Sequence, residues 1–162
     1  TAMDVGSSTG GFTDCMLQLG AKKVYCIDVG YGQIAWSLRN DPRVVLLERT
    51  NVRYLGKEKI PDVIDIVTAD VSFISLTQVI PGVAEFLKDG GEILALVKPQ
   101  FEVGKGEVGK GGIVREEEKR LQAVESVKIS LEDTGLQTAG MFQSPVTGQK
   151  GNIEYFLYMK KG

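Results

Sequence analysis

Asp4-Val5-Gly6-Ser7-Ser8-Thr9-Gly10-Gly11-Phe12-Thr13-Asp14 is the stretch that decides how this chain folds. A short apolar entry, Ala2 to Val5, precedes it, and an amphipathic run from Cys15 to Leu19 follows. That order predicts strand, glycine-rich turn and helix. Glycine lets the backbone approach a ligand closely, and a helix start offers unpaired N–H groups. Such a loop cradles a nucleotide-like cofactor. A dinucleotide fold wants Gly-x-Gly-x-x-Gly, which admits a pyrophosphate. Here the spacing is Gly-x-x-x-Gly-Gly, preceded by an acidic residue on the strand. It suits S-adenosylmethionine, whose amino-acid end is zwitterionic and carries no phosphate. The candidate cofactor residues are Asp4, Gly6, Ser7, Ser8, Gly10, Gly11 and Phe12. The plainer alternative is a tight turn with no ligand.

Outward from the loop, strand and helix patterns alternate. Strands are expected at Ala2–Val5, 24–27, 44–47, 63–69, 92–97, 141–142 and 153–159. Helical spacing is expected at 33–39, at 76–87 despite Pro81, and at 116–131, where Leu121, Val124, Val127 and Leu131 form an apolar stripe. Asp89-Gly90-Gly91 reads as a turn. The alternation implies a seven-stranded, mostly parallel sheet with helices on both faces, and the late hairpin adds one antiparallel strand. Glu102 to Gly112, rich in Gly, Lys and Glu, reads as a mobile loop of the kind that covers sites.

The 162 residues fit one domain, with a formal charge of -2 and no histidine. The lack of histidine excludes His-based triads and His metal ligands, and no metal is expected. Cys15 and Cys26, set in an expected helix and strand, read as buried thiols of a reducing cytosol rather than a zinc site or disulfide. No run reaches transmembrane length and no signal peptide is visible, so a cytoplasmic protein without membrane contact is expected. The chain opens at Thr1 inside its first expected strand, which reads as a piece of a longer polypeptide.

Ligands of such sheets gather at the C-terminal ends of the strands. Asp28 ends the second strand, where an acidic side chain reaches ribose hydroxyls; a turn residue is the alternative. Val29 follows it. Asn51 follows the third strand, placed for an adenine edge or for a turn. Asp70 ends the fourth strand, Lys98 the fifth, and Glu154 opens the last. Together they form an acid–base cluster, or else a surface ion-pair network of little energetic weight.

Six segments, read in order, carry a resemblance: Asp4–Asp14, Asp28-Val29-Gly30-Tyr31-Gly32, Arg49-Thr50-Asn51-Val52-Arg53, Asp70-Val71-Ser72-Phe73-Ile74-Ser75, Val97-Lys98-Pro99-Gln100-Phe101-Glu102 and Gly151-Asn152-Ile153-Glu154. Over essentially the whole chain, it resembles the TlyA-type haemolysin family of FtsJ-like ribosomal RNA methyltransferases. The resemblance implies a class I, Rossmann-like methyltransferase fold with S-adenosylmethionine as donor. It also implies transfer to a ribose 2′-hydroxyl, usually a cytidine of ribosomal RNA, so the expected partner is ribosomal RNA or a ribosomal subunit. FtsJ-like enzymes use a Lys-Asp-Lys-Glu set. Asp70, Lys98 and Glu154 match its last three members, with Asp70 also beside the donor. The first lysine, and an S4-type RNA-binding domain, lie upstream of the glycine loop in that family. The expected roles are Lys98 as base, Asp70 as its orienting partner and Glu154 as a further positioning group. Arg49, Arg53, Lys105, Lys110 and Arg115 are candidate contacts to RNA phosphates, or simply solvated charges. Two other functions compete. A nicotinamide-dependent oxidoreductase would share the sheet, but the glycine spacing and the lack of a Tyr-x-x-x-Lys pair argue against it. A membrane-active haemolysin would need a spanning or basic amphipathic element, and none is evident.

Overall fold

A computed structural model describes residues 1–162. Seven strands form one sheet: β1 (Ala2–Val5), β2 (Val24–Ile27), β3 (Val44–Leu47), β4 (Ile64–Ala69), β5 (Leu87–Val97), β6 (Leu136–Gln143) and β7 (Tyr155–Lys161). Four helices connect them: α1 (Gly11–Gln18), α2 (Trp36–Arg39), α3 (Leu76–Ala84) and α4 (Glu117–Glu132). The strand order is β3-β2-β1-β4-β5-β7-β6. β1 to β5 pair in parallel, whereas β7 runs antiparallel to both β5 and β6. The expected fold class therefore holds, including its single reversed strand. The order turns back between β1 and β4, which opens a crevice above their C-terminal ends.

Alternation along the strands splits the core in two. Met3, Val5, Tyr25, Ile27, Ile93, Ala95, Val97, Leu157 and Met159 point to one face, under α3 and α4. Ala2, Val24 and Cys26 point to the other, under Met16 and Leu17 of α1 and Leu38 of α2. This second face is covered only over β1 to β3. Leu94, Leu96, Phe156 and Tyr158 on β5 and β7 stay half-buried there, with Phe12 edge-on to Phe156 at 6.2 Å between ring centres.

Four local readings change. Pro81 lies past the first turn of α3, which stops at Ala84, and Leu87 opens β5 opposite Ile64. The helix does not run on to 87, because Phe86 and Leu87 are taken up in pairing with Ile64 of β4. Asp89-Gly90-Gly91 is an excursion within β5, because Leu87 pairs with Ile64 while Glu92 already pairs with Ile66. β6 starts at Leu136, well before Met141. It is an edge strand with a bulge between Thr138 and Gly140, so it lacks the apolar run that marks a buried strand. Cys15 is exposed on the outer side of α1, and only Cys26 is buried. Burial pushes the Cys26 thiol up to about 12, so it is inert at neutral pH.

Candidate active site

The glycine loop follows the strand-turn-helix expectation. Gly6 (φ 74°) and Gly10 (φ 98°) both take left-handed backbone. A Cβ on Gly6 would collide with the Asp70 carbonyl oxygen, so this glycine lets the loops after β1 and β4 touch. Gly10 caps α1 with its Cα facing Leu38 and Ile34. Beneath the loop lies Asp4, fully buried. One of its oxygens accepts from the Thr13 N–H (3.1 Å) and hydroxyl (2.7 Å), the other from the Thr68 hydroxyl (3.0 Å). Burial pushes the Asp4 carboxyl up; the Thr13 and Thr68 donors pull it back, and Asp70 adds a smaller upward push. Through these three bonds Asp4 braces the loop against α1 and β4 from below, and it is not part of the wall of the cleft above the loop.

Above the loop is a cleft of about 460 Å³, within the usual size of small-molecule sites. Of the expected cofactor residues, Gly6, Ser8, Asp28, Val29, Asn51 and Asp70 line it. Gly10, Gly11 and Phe12 lie outside its wall, spent on the cap of α1 and the packing against Phe156. Ser7 sits behind the wall, its buried hydroxyl without a partner. Asp28 accepts from the Ser8 N–H (2.8 Å) with one oxygen and from the Gly30 N–H (2.8 Å) with the other. Each oxygen keeps a lone pair for a ribose diol. Asn51 Oδ1 accepts from the Arg53 N–H (3.1 Å), so its turn role is real, while its side-chain N–H groups remain for a ligand. Val29, Val52 and Val71 give the cleft an apolar wall fit for an adenine ring. A two-oxygen acceptor at Asp28 and an apolar slot together fit S-adenosylmethionine.

A smaller cleft of about 200 Å³ adjoins the first, and Asp70 and Ser72 belong to both. Lys98 and Glu154 line it as well, so the structure brings all three expected catalytic residues to one place. Lys98 Nζ lies 2.6 Å from Asp70 Oδ1. That contact is ionic, since the buried Oδ1 has no aligned hydrogen-bond donor. Lys98 also donates to the Ser72 hydroxyl (3.1 Å). Glu154 is buried, and its carboxylate accepts from the Gln100 amide at 2.9 Å.

Several contributors were not singled out from sequence. Phe73 is 85 % exposed, takes a left-handed backbone (φ 62°) and rests on Phe101 at 4.8 Å between ring centres. That conformation is costly for a bulky side chain, and strain of this kind concentrates at functional sites. Glu102 accepts from the Ser75 hydroxyl (2.7 Å) and the Leu76 N–H (2.9 Å), which caps α3 from a distant loop. Burial pushes its carboxyl above the ordinary range, and the two donors partly offset that. The far end of the Gly/Lys-rich loop is pinned by Asn152, which bonds the Val114 N–H and the Gly112 carbonyl, and by Arg120, which donates to the Arg115 carbonyl. Arg49 stacks on Tyr31 (4.4 Å) and Arg53 lies over Tyr54 (5.7 Å), so two of the expected basic groups are paired with exposed aromatics at strand ends.

Residues 1–161 match a family model described as FtsJ-like methyltransferase. The 16S/23S rRNA (cytidine-2′-O)-methyltransferase TlyA of Mycobacterium tuberculosis is 51% identical over 158 residues, which cover 98% of this chain and 59% of that protein. A solved Lactococcus lactis structure described as a hemolysin superposes with a TM-score of 0.96 at 42% identity, over 99% of this chain and 77% of the other. The N-methyltransferase NodS of Bradyrhizobium japonicum, solved with S-adenosyl-L-homocysteine, shares the fold at a TM-score of 0.68 and 16% identity, over 99% and 76% of the two chains. The chain spans 56% to 65% of the length of the curated relatives it matches.

Proposed function

The chain belongs to the FtsJ-like methyltransferase family, and on that footing we propose that it methylates the 2′-hydroxyl of a cytidine in ribosomal RNA, with S-adenosylmethionine as donor. One observation carries the reading. The cleft that fits the donor and the cleft that holds Lys98, Asp70 and Glu154 share a wall, made by Asp70 and Ser72. A methyl group bound in the first can therefore meet a hydroxyl bound in the second. The cofactor, when bound, supplies an activated methyl on a sulfonium that leaves as a neutral thioether.

The protein's own groups do the rest. Asp28 takes the ribose of the donor, the apolar wall takes its base, and the loop from Gly6 to Ser8 takes its amino-acid end. A ribose hydroxyl is a poor nucleophile and must lose its proton as it attacks. Lys98, held by Asp70 and Ser72, first gives one ammonium proton to solvent, and the freed amine lone pair then takes the hydroxyl proton as the oxygen attacks the methyl carbon. Glu154 positions the nucleotide from the same cleft. Phe73, exposed on Phe101, offers an aromatic face to a nucleobase lifted out of its stack. The M. tuberculosis relative is named for cytidine targets in both rRNAs, which supports the choice of substrate. No helix of the structure is long and apolar enough to cross a membrane.

The test is methyl transfer from labelled S-adenosylmethionine to purified ribosomal subunits, with the product nucleoside identified by mass spectrometry. The expected product is 2′-O-methylcytidine, lost in Lys98→Ala while donor binding by calorimetry is retained. Label on a base or on ribosomal protein, or full activity in Lys98→Ala, overturns the assignment.

A further inference from the structure

We propose that Gln100 is a positioning residue of the reaction, holding the Glu154 carboxylate in the cleft shared with Lys98. The inference rests on the function proposed above and adds a residue to its machinery. Gln100 sits in the short turn Pro99–Phe101, directly after β5, and its amide nitrogen donates to Glu154 Oε1 at 2.9 Å. Both residues line the small cleft, together with Asp70, Ser72 and Lys98.

The other half of the same amide carries the argument. Gln100 Oε1 is sealed from solvent and has no donor. A buried acceptor left unpaired is a net cost to folding, and most native proteins avoid it. Turning the amide over would give no relief, because it would set Oε1 against the Glu154 carboxylate. The ionised carboxylate therefore dictates the orientation of the amide, at the expense of the carbonyl. A glutamine retained for stability would satisfy both ends. This one satisfies only the end that faces Glu154, as expected where a residue serves a site rather than the fold. A glycine at 148 completes the arrangement, because a Cβ there would collide with the same carboxylate.

The consequence is a split between stability and rate. Gln100→Leu removes the donor to Glu154 and the orphaned carbonyl in one step. Its melting temperature should change little, because removing the orphaned carbonyl offsets the bond lost to the buried Glu154 carboxylate, and its KM for S-adenosylmethionine should not change. Its kcat on ribosomal subunits should fall about tenfold to a hundredfold, as for other losses of one bond to a charged group. Gln100→Glu places a second carboxylate beside Glu154, where like charges hold a proton between them. The other charged groups lining this cleft are Asp70 and Lys98. The acidic limb of the pH–kcat profile should move to higher pH in both variants, and further in Gln100→Glu, because Gln100→Leu only takes a donor from the carboxylate whereas Gln100→Glu adds a like charge. A Gln100→Leu protein with unchanged kcat overturns the proposal. So does one whose kcat loss comes with a matching fall in melting temperature and in donor affinity, since that would be a structural role. Failure of the unsubstituted protein to methylate RNA overturns the proposed function, and this inference with it. Those two failures are told apart in the same assay.

Discussion

Thr13→Val tests whether the buried Asp4 braces the glycine loop. The substitution keeps the shape and the backbone N–H of Thr13 but removes the hydroxyl, which donates to Asp4 at 2.7 Å and lies 3.0 Å from the Cys26 sulfur. A hydrogen bond to a charged group is worth roughly 1.5–3 kcal/mol, and Asp4, with no exposed surface, has no water to replace it. The expected loss is about 2 kcal/mol at pH 7. For a chain of this size that is about 4–8 °C of melting temperature. The loss should also depend on pH. Burial already raises the Asp4 carboxyl above its ordinary 3.8, and the Thr13 hydroxyl is the largest influence pulling it down. Without that hydroxyl the folded-state pKa climbs further. A raised carboxyl contributes stability that is present below its unfolded pKa and is lost as pH rises through its folded value. The gap between wild type and variant should therefore narrow as pH falls and Asp4 takes up its proton, since the neutral carboxyl needs fewer donors. Thermal denaturation followed by circular dichroism at several pH values measures both effects. A melting temperature unchanged at pH 7, or a gap that widens on acidification, would refute the bracing role.

Asp28→Ala should weaken S-adenosylmethionine binding by about tenfold to a hundredfold in calorimetry, because it removes the acceptor pair for the ribose diol and frees the Ser8 and Gly30 N–H groups. Unchanged affinity would place the ribose elsewhere. Gly6→Ala should abolish donor binding, since its φ of 74° disfavours a side chain and its Cβ would strike the Asp70 backbone; a variant that binds normally would mean the two loops are free to separate. Ser72→Ala should lower kcat with little effect on donor affinity, because it takes away one of the two partners of Lys98 Nζ; equal kcat would limit the orienting role to Asp70. Glu102→Gln addresses a cap. The Glu102 carboxyl is raised by burial above 4.5, so wild type should lose stability relative to the variant as pH climbs from about that value, and a pH-independent difference in melting temperature would contradict the burial argument.

What the sequence made legible follows from where each residue lies on a strand. Asp28, Asp70 and Lys98 each come directly after a strand, and a parallel sheet delivers such residues to one edge whatever else the chain does. Periodicity locates the strands, so the cluster could be read before any contact was known. Ser72, Gln100 and Glu102 have no such local mark. Their partners are 26, 54 and 27 residues away, and each acquires its role only when the strand order brings those partners in. An acid before a glycine loop, as at Asp4, suggests a ligand-facing residue. Alternation along β1 turns it instead toward Thr13 and Thr68, and no period-two pattern in four residues could say which face lay under α1. Phe73 was invisible for another reason: a side chain in left-handed backbone breaks the rule that aromatic residues mark strands or cores. Ser72, Phe73 and Gln100, which line the two clefts, thus escape a local reading because a local preference is overridden there by a long-range demand. An aromatic held out in solvent and an amide with one unpaired end both detract from the fold, and they lie in the loops after β4 and β5, on the walls of the two clefts. That concentration argues for a site selected for its chemistry, because a surface ion-pair network would carry none of these costs.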